Sequence, residues 1–286
     1  MIGPFPAGGG TDVFARPLAA QVGEQLGVQI LIDNKGGAGG TVGASLAAKM
    51  KPDGYTFFVG AVHHTIAPSI YKNLDYDLEK NFEPITMIAL VPQVISINPN
   101  RLKVKTAAEL IEYIKKNPGK VNYASAGAGT AHHLAGELFK LETKTDITHV
   151  PYRGAGPAMQ DLLAGNADMM FDGMGTSAAQ IRAKRLIGLA VATPQRNPEF
   201  PDMPTGAEIG VPLMAHRPYQ VETIQLGTPT SAEVGMFGNS ATRCGVAVAS
   251  PIRRFWRICW AEVPMPSNIM STLPASRSCI AGPAPR

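Results

Sequence analysis

The sequence predicts an α/β fold built from two lobes, and three features lead to this prediction. First, short apolar runs alternate with helical patterns through residues 1–212, and strands separated by helices of this length need crossover connections, which give parallel sheets. Second, two glycine-rich loops of similar design occur at 6–12 and 125–133. Third, proline-rich stretches near Pro92 and over 194–204 bracket the middle of the chain. Residues 94–204 are therefore expected to form a second lobe, inserted into a first lobe of residues 1–93 and part of 205–286.

The first lobe is predicted to begin with a strand, a glycine loop and a helix. Only residues 1–5 are left to form the strand before the loop. After the loop, apolar residues recur at helical spacing and stop before Gly27: Val13, Leu18, Val22 and Leu26. Apolar and polar residues then alternate over 28–32, which predicts a strand. A second glycine-rich run at 36–41 opens another helix, and a turn at 52–54 leads into a buried strand over 55–59.

The second lobe is predicted from the same alternation. Residues 85–90 and 93–97 read as two strands separated near Pro92, and Thr106 is expected to cap a helix that ends before Asn117. Further strands are expected at 121–124, 149–152, 169–171 and 187–192. Further helices are expected at 131–141, 156–164 and 177–183.

Charge is distributed unevenly along the chain. The net charge is +4, but residues 1–212 hold 19 Lys plus Arg against 19 Asp plus Glu, whereas residues 213–286 hold 7 Arg, no Lys and 3 Glu. A neutral body gives no electrostatic footprint for nucleic acid. The longest apolar stretch, 85–97, is too short to span a bilayer and contains Pro92. Neither nucleic-acid binding nor direct membrane insertion is therefore expected.

The two ends of the chain differ from its body. Residues 213–286 contain all three cysteines and both tryptophans, and they lack a sustained strand or helix period; this favours a frame-shifted translation and an aberrant C-terminal part of the fold. A body without cysteine suits an oxidising compartment. No signal-peptide pattern precedes the first glycine loop. Either the protein is cytoplasmic or its start is missing, and the few residues left for the first strand favour a missing start.

The two glycine loops carry the functional prediction. PAGGGTD at 6–12 and SAGAGTAHH at 125–133 each place small residues and a threonine at the start of a helix. Unpaired N–H groups and the partial positive charge of the helix bind anions there. Neither loop has the lysine of a Walker A loop or the full dinucleotide fingerprint, so a phosphate chain is disfavoured. A small carboxylate held between the loops, with Arg153 adding charge, fits better. The alternative is that the glycines only permit tight helix packing.

Several long motifs are shared, in order, with one family: PFPAGGGTDVFAR at 4–16, DNKGGAGGTVGASLAAKMKPDGYT at 33–56, NFEPITMIA at 81–89, SAGAGTAHHLAGELF at 125–139 and VPYRGAGPAMQDLLAGNADMMFD at 150–172. They resemble the substrate-binding receptors of tripartite tricarboxylate transporters, the Bug-type periplasmic proteins, over residues 2 to about 212. The resemblance implies a two-lobed type II periplasmic-binding-protein (Venus-flytrap) architecture. It also implies a monomeric, non-enzymatic receptor in the periplasm that captures a di- or tricarboxylate or an amino acid and delivers it to membrane permease subunits.

The resemblance further implies a set of ligand-binding residues, without a cofactor or a metal. In the first lobe they are Phe5, Ala7, Gly8, Gly9, Gly10, Thr11 and Asp12, with His64 and Thr65 on the rim. In the second lobe they are Gly127, Gly129, Thr130, His133, Tyr152, Arg153 and Asp172.

Other interpretations of these residues stay open. The pairs at 63–64 and 132–133 are both His-His, but no third metal ligand and no H-E-x-x-H motif accompany them. Asp12 fits a catalytic base or a cap that compensates the helix dipole. A cytoplasmic transferase or hydrolase would use the glycine loops as an oxyanion site, although the stretch around Ser125 lacks the first glycine of a nucleophile elbow. A ligand-sensing partner of a signalling protein would use the receptor fold unchanged.

Overall fold

The computed structural model describes residues 1–211 and 221–229. The strands of this part of the chain are, in order, β1 (Ile2–Gly3), β2 (Asp33–Asn34), β3 (Phe58–Ala61), β4 (Phe82–Ile97), β5 (Asn122–Ser125), β6 (Thr148–Pro151), β7 (Met169–Gly173), β8 (Ile187–Val191) and β9 (Val221–Pro229). Its helices are α1 (Gly10–Leu26), α2 (Thr41–Ala48), α3 (His63–Ile70), α4 (Leu78–Asn81), α5 (Ala107–Lys116), α6 (Ala131–Thr143), α7 (Ala155–Ala164) and α8 (Met174–Arg182), with a 3₁₀ turn at Ala38–Gly40.

Two sheets share the long strand β4. The first sheet has the order β2-β1-β3-β9-β4, and the second is built around β4, β7, β5 and β6, with β8 on β4. Strands joined by helical crossovers run parallel: β1 with β2 and β3, and β5 with β6 and β7. β4 and β9 run antiparallel to their neighbours. The molecule therefore consists of two α/β lobes with mixed sheets, connected through one strand.

Each lobe has its own apolar core. In the first lobe, helix α1 packs Ala15 and Val22 against Phe57, Val59 and Ile85. In the second lobe the core is larger, and its fully buried side chains include Ile95, Leu110, Tyr123, Phe139 and Phe171. Separate cores allow each lobe to hold its shape when the two move relative to one another. The exact lobe boundaries near residues 93 and 204 stay a prediction.

The strand β4 corrects one prediction. Residues 85–90 and 93–97 form one strand of 16 residues rather than two. Pro92 is the last residue paired with β9, and Gln93 is the first paired with β7. Proline has no N–H to donate to a neighbouring strand. Pro92 lies at the point where β4 changes its neighbour from β9 to β7, so the missing donor does not end the strand.

Other predictions are corrected around it. The strand expected over 28–32 is wrong: the Val28 N–H bonds back to Gly23 O of α1, Leu31 is 70% exposed, and only Asp33–Asn34 pairs with β1. The strand expected at 55–59 begins at Phe58, and helix α3 was not predicted. Strand β9 lies within the segment read as aberrant. It forms there because its residues pair with both β3 and β4. The rest of residues 213–286 lies outside the described residues.

Several local predictions are confirmed. Thr106 caps α5, since its hydroxyl accepts a hydrogen bond from the Glu109 N–H at 3.2 Å. The helices at α6 and α7 begin within one residue of their predicted starts. Among residues 1–211 and 221–229, no helix combines the length and the apolar character that crossing a bilayer requires.

Candidate functional site

A small buried cavity lies between the two lobes. It has about 10 Å³ of free space, roughly the room that one water molecule needs. Both lobes contribute to its wall, which is formed by Phe5, Gly10 and His63 from the first and Ala126, Thr130, Ala131, His132 and Ala155 from the second.

Three helices begin at this cavity. Gly10, Ala131 and Ala155 are the first residues of α1, α6 and α7, and all three line it. The first N–H groups of a helix have no partner within the helix, and the helix start carries a partial positive charge of about half an elementary charge. No side chain caps α1 or α7. The arrangement is therefore suited to an anion.

The first glycine loop is held by a carboxylate. Asp12 is 2% exposed, and its Oδ2 accepts hydrogen bonds from the Gly8 N–H at 2.8 Å and from Arg16 Nε at 2.7 Å. Burial raises the pKa of Asp12, but the hydrogen bonds from Arg16, Gly8 and Asn34 outweigh it and hold the pKa below its usual value. Gly8 therefore donates to the protein rather than to the cavity. Neither Thr11 Oγ1 nor Asp12 Oδ1 has a hydrogen-bond partner among the described residues.

The second glycine loop is held by neutral groups. The Thr130 hydroxyl caps α6 by accepting from the His133 N–H at 3.4 Å and donates to Gly127 O at 2.7 Å. The Gly129 N–H donates to His133 Nδ1 at 3.2 Å. The Gly127 N–H donates to Ser125 Oγ at 3.1 Å, which also bonds to His149 Nε2 at 2.6 Å. Gly127, Gly129 and His133 thus shape the loop from outside the cavity.

The two histidines of α3 have different surroundings. His64 lies outside the cavity wall: its Nδ1 contacts the backbone of Ala61, its Nε2 lies 3.3 Å from Gly40 O, and burial lowers its pKa to about 4. His63 lines the cavity and is 3% exposed. Burial, with smaller effects from His64 and His132, lowers the pKa of His63 well below its usual value. Thr65 is exposed, and its hydroxyl donates to Val62 O at 2.6 Å.

The remaining predicted residues of the second lobe lie behind or beside the cavity. Asp172 is fully buried and accepts from Ser177 Oγ at 2.6 Å; its Oδ1 lies 3.8 Å from His132 Nε2, so it braces a histidine of the cavity wall. Tyr152 donates to Asp161 Oδ2 at 2.8 Å. Arg153 is exposed and is not part of the wall. Within the described residues, no group of three His, Cys, Asp or Glu side chains is arranged to hold a metal.

The lobes touch each other directly around the cavity. Tyr71 of the first lobe donates to Ala128 O of the second at 2.9 Å. The backbone of the first glycine loop passes close to Gly156, where an added Cβ would lie 3.1 Å from Ala7 O and 3.6 Å from Gly9 N. A Cβ on Gly39 would lie 2.7 Å from Ala128 O. Gly39 and Gly156 therefore have to be small where the lobes meet, and the structure is in a closed arrangement.

Sequence reasoning found part of this wall and missed the rest. Phe5, Gly10 and Thr130 line the cavity as expected, and Ala7, Gly8, Gly9, Thr11 and Asp12 form the adjoining loop and first turn. The missed residues are His63, Ala126, Ala131, His132 and Ala155. Helix phase would have found His132, because it shares the buried face of α6 with Ala135, Gly136 and Phe139. The start of α7 was predicted, but its position at the cavity was not.

Comparison with known proteins identifies relatives that match most of the chain. A family model described as the tripartite tricarboxylate transporter family receptor matches residues 14–231. A protein from Pseudomonas sp. strain P51 is 37% identical over 205 residues, which cover 72% of this chain and 61% of the relative. BugT from Bordetella pertussis is 36% identical over 230 residues, covering 80% of this chain and 70% of BugT. The chain thus spans about three fifths to two thirds of the length of these relatives.

Solved structures are similar in the same region. A Rhodopseudomonas palustris protein with adipate has a TM-score of 0.78 at 32% identity, and the match covers 90% of this chain and 79% of that one. MatC from the same species, with bound malate, has a TM-score of 0.74 at 31% identity, and the match covers 81% of this chain and 77% of MatC.

Proposed function

This chain belongs to the tripartite tricarboxylate transporter receptor family, and we propose that it is a periplasmic receptor that captures a small carboxylate between its two lobes and delivers it to the membrane permease subunits of such a transporter. The predicted family and its two-lobed periplasmic-binding-protein architecture are confirmed by the matched family model and the similar structures. The carboxylate, the transporter partner, the periplasmic location and the absence of enzymatic activity are the content of the proposal.

One observation carries the proposal: three helices from the two lobes begin at one buried cavity, and no Lys or Arg of the described residues lies in its wall. Their partial charges sum to about 1.5 elementary charges, which suits one or two carboxylates better than the charge of a polyphosphate. Because the helix starts come from opposite lobes, an anion that contacts both of them stabilises the closed arrangement. This coupling is what a receptor needs in order to present only its loaded form.

Two further points support a receptor rather than an enzyme. Ser125, the residue that a hydrolase would need at a nucleophile elbow, is fully buried and is not part of the cavity wall. Asp12 accepts hydrogen bonds from the Gly8 N–H and from Arg16 Nε on one oxygen, so this carboxylate holds the first glycine loop in place. The relatives with adipate and malate each contain a dicarboxylate, which supports this ligand class for the present chain.

The proposal is tested by measuring thermal stability against a panel of acids with matched neutral amides, for example succinate against succinamide. A ligand that binds only the folded form stabilises it by RT ln(1 + [L]/Kd), about 2.7 kcal/mol at a hundredfold excess over Kd. We expect stabilisation by at least one acid, none by its amide, and recovery of the unchanged acid. Formation of a product, or equal stabilisation by acid and amide, would overturn the proposal.

A further inference from the structure

The imidazole of His63 has an unused polar atom at the cavity. Its Nε2 is buried and has no hydrogen-bond partner among the described residues, and the residue is 3% exposed while lining the cavity. Buried side-chain nitrogens are almost always paired, because an unpaired one loses its hydration without compensation. A ligand in the cavity is the partner that this atom lacks.

The ring of His63 is fixed in orientation and neutral. The rings of His63 and Phe5 pack edge to face, with their centroids 4.8 Å apart and an interplanar angle of 74°. The centroid of the His64 ring lies 4.5 Å from that of His63. Burial and the neighbouring histidines keep it unprotonated at neutral pH. A neutral imidazole nitrogen forms one directed hydrogen bond, as donor or acceptor, and adds no charge. His63 is therefore suited to recognising a polar group of the ligand other than its main anionic charge.

The size of the cavity limits how far apart these two groups of the ligand lie. The apolar part of the wall consists of the Phe5 ring and the methyl groups of three alanines, Ala126, Ala131 and Ala155. The lobes are already in contact through Tyr71 and Ala128 and through Gly9 and Gly156. The free space of about 10 Å³ has to widen for any acid, and a long acid would separate these contacts further than a compact one.

We propose that His63 is a specificity-determining residue, and that it selects a short carboxylic acid whose neighbouring carbon carries a hydroxyl or oxo oxygen. The carboxylate lies at the starts of α1, α6 and α7, and the second oxygen bonds to His63 Nε2. This inference rests on the proposed function and adds to it the chemical class of the ligand and the residue that distinguishes it.

The test uses pairs of acids that differ by a single hydroxyl: lactate with propionate, and malate with succinate. Affinities are measured by calorimetry on the full chain and on three variants. His63→Phe keeps a ring beside Phe5 but removes the nitrogen, His63→Gln returns a polar group, and Ser69→Ala is a control on an exposed residue of the same helix. The unfolding temperature of each ligand-free variant is recorded first.

We expect the unaltered protein and Ser69→Ala to bind the hydroxy acid of at least one pair about tenfold more tightly than its partner, the usual effect of one buried hydrogen bond. His63→Phe should reduce this ratio to about threefold or less by weakening the hydroxy acid alone, and His63→Gln should restore part of it. Equal weakening of both acids in His63→Phe would overturn the inference, because it indicates a structural role.

The outcomes also separate this inference from the proposed function. If the unaltered protein binds no acid, the receptor function itself fails. If it binds acids without distinguishing the members of either pair, or binds adipate more tightly than malate, the receptor function stands and the role of His63 fails. This comparison needs only the unaltered protein, so it decides the matter even if His63→Phe does not fold.

Discussion

The two glycine loops occupy equivalent positions at the cleft, yet their supports differ. The first loop is held by a buried carboxylate, Asp12, which receives the Gly8 N–H and Arg16 Nε on one oxygen. The second is held by the Thr130 hydroxyl and by the imidazoles of His133 and His149. A charged group and a set of neutral groups thus produce the same kind of helix start facing the same cavity.

The difference has a consequence for the ligand. A carboxylate bonded to the first loop offsets part of the positive end of that dipole, whereas in the described residues the groups bonded to the second loop are neutral. We expect the second loop to hold the more strongly bound end of an anion. The first loop then contributes mainly to closure, through its contact with the start of α7.

The largest expected effect comes from removing each support. Asp12→Ala leaves the Gly8 N–H without its acceptor and breaks the pair with the exposed Arg16, so a loss of about 2 kcal/mol in the free energy of unfolding is expected. Thr130→Val removes a helix cap and the bond to Gly127 O, both made by one neutral hydroxyl, and should cost about 1 kcal/mol. Urea unfolding of both variants measures the two losses.

A matched control separates stability from binding. Thr106→Val removes an equivalent cap from α5, far along the chain from the cleft, and should cost about as much stability as Thr130→Val while leaving carboxylate affinity unchanged. If Thr130→Val is as destabilising as Asp12→Ala, the contrast between a charged and a neutral support is wrong.

The sequence predicted the loops and not the details of the cavity, for a physical reason. A helix start after small residues is a local property, so PAGGGTD and SAGAGTAHH could be read directly. Which histidine of a pair faces the cavity depends on helix phase and on the opposite lobe, so His64 and His133 were chosen where the structure has His63 and His132 in the wall. Strand β9 escaped prediction because its stability comes from pairing with β3 and β4 rather than from its own pattern.

Acidification should distinguish the supports without any substitution. Burial lowers the pKa of His133, and burial with the nearby His133 lowers that of His149 to about 4. A histidine with a depressed pKa stabilises the fold above its unfolded value of 6.5, and this stability is lost as the pH falls toward the folded value. The pKa of Asp12 is also depressed, from 3.8, so its stability is lost only in more acidic solution. Of the two glycine loops, only the second should therefore weaken between pH 7 and 4.5.

Amide hydrogen exchange measures the weakening of each loop at one residue, Gly8 in the first loop and Gly129 in the second. Protonation of His133 Nδ1 removes the acceptor of the Gly129 N–H, so its protection, corrected for the intrinsic rate, should fall about fivefold as the pH falls from 7 through the lowered pKa of His133. The Gly8 N–H should keep its protection, because Asp12 is still ionised. His133→Gln, which does not titrate, should abolish the pH dependence at Gly129. Equal losses at Gly8 and Gly129 would contradict the assignment of charge to one loop and neutrality to the other.

The smallest expected effect concerns how the second loop crosses the cleft. The first loop meets the other lobe through its backbone and the Pro6 ring, without a side-chain hydrogen bond among the described residues, whereas the second receives one from Tyr71 to Ala128 O. Tyr71→Phe should destabilise the closed arrangement by about 1 kcal/mol and weaken carboxylate binding about fivefold, with little change in the urea midpoint of the ligand-free protein. Tyr76→Phe is the matched control, since the Tyr76 hydroxyl is buried in the first lobe without a hydrogen-bond partner among the described residues. If both variants bind equally well, closure does not depend on the bond from Tyr71, and the two loops cross the cleft by the same kind of contact.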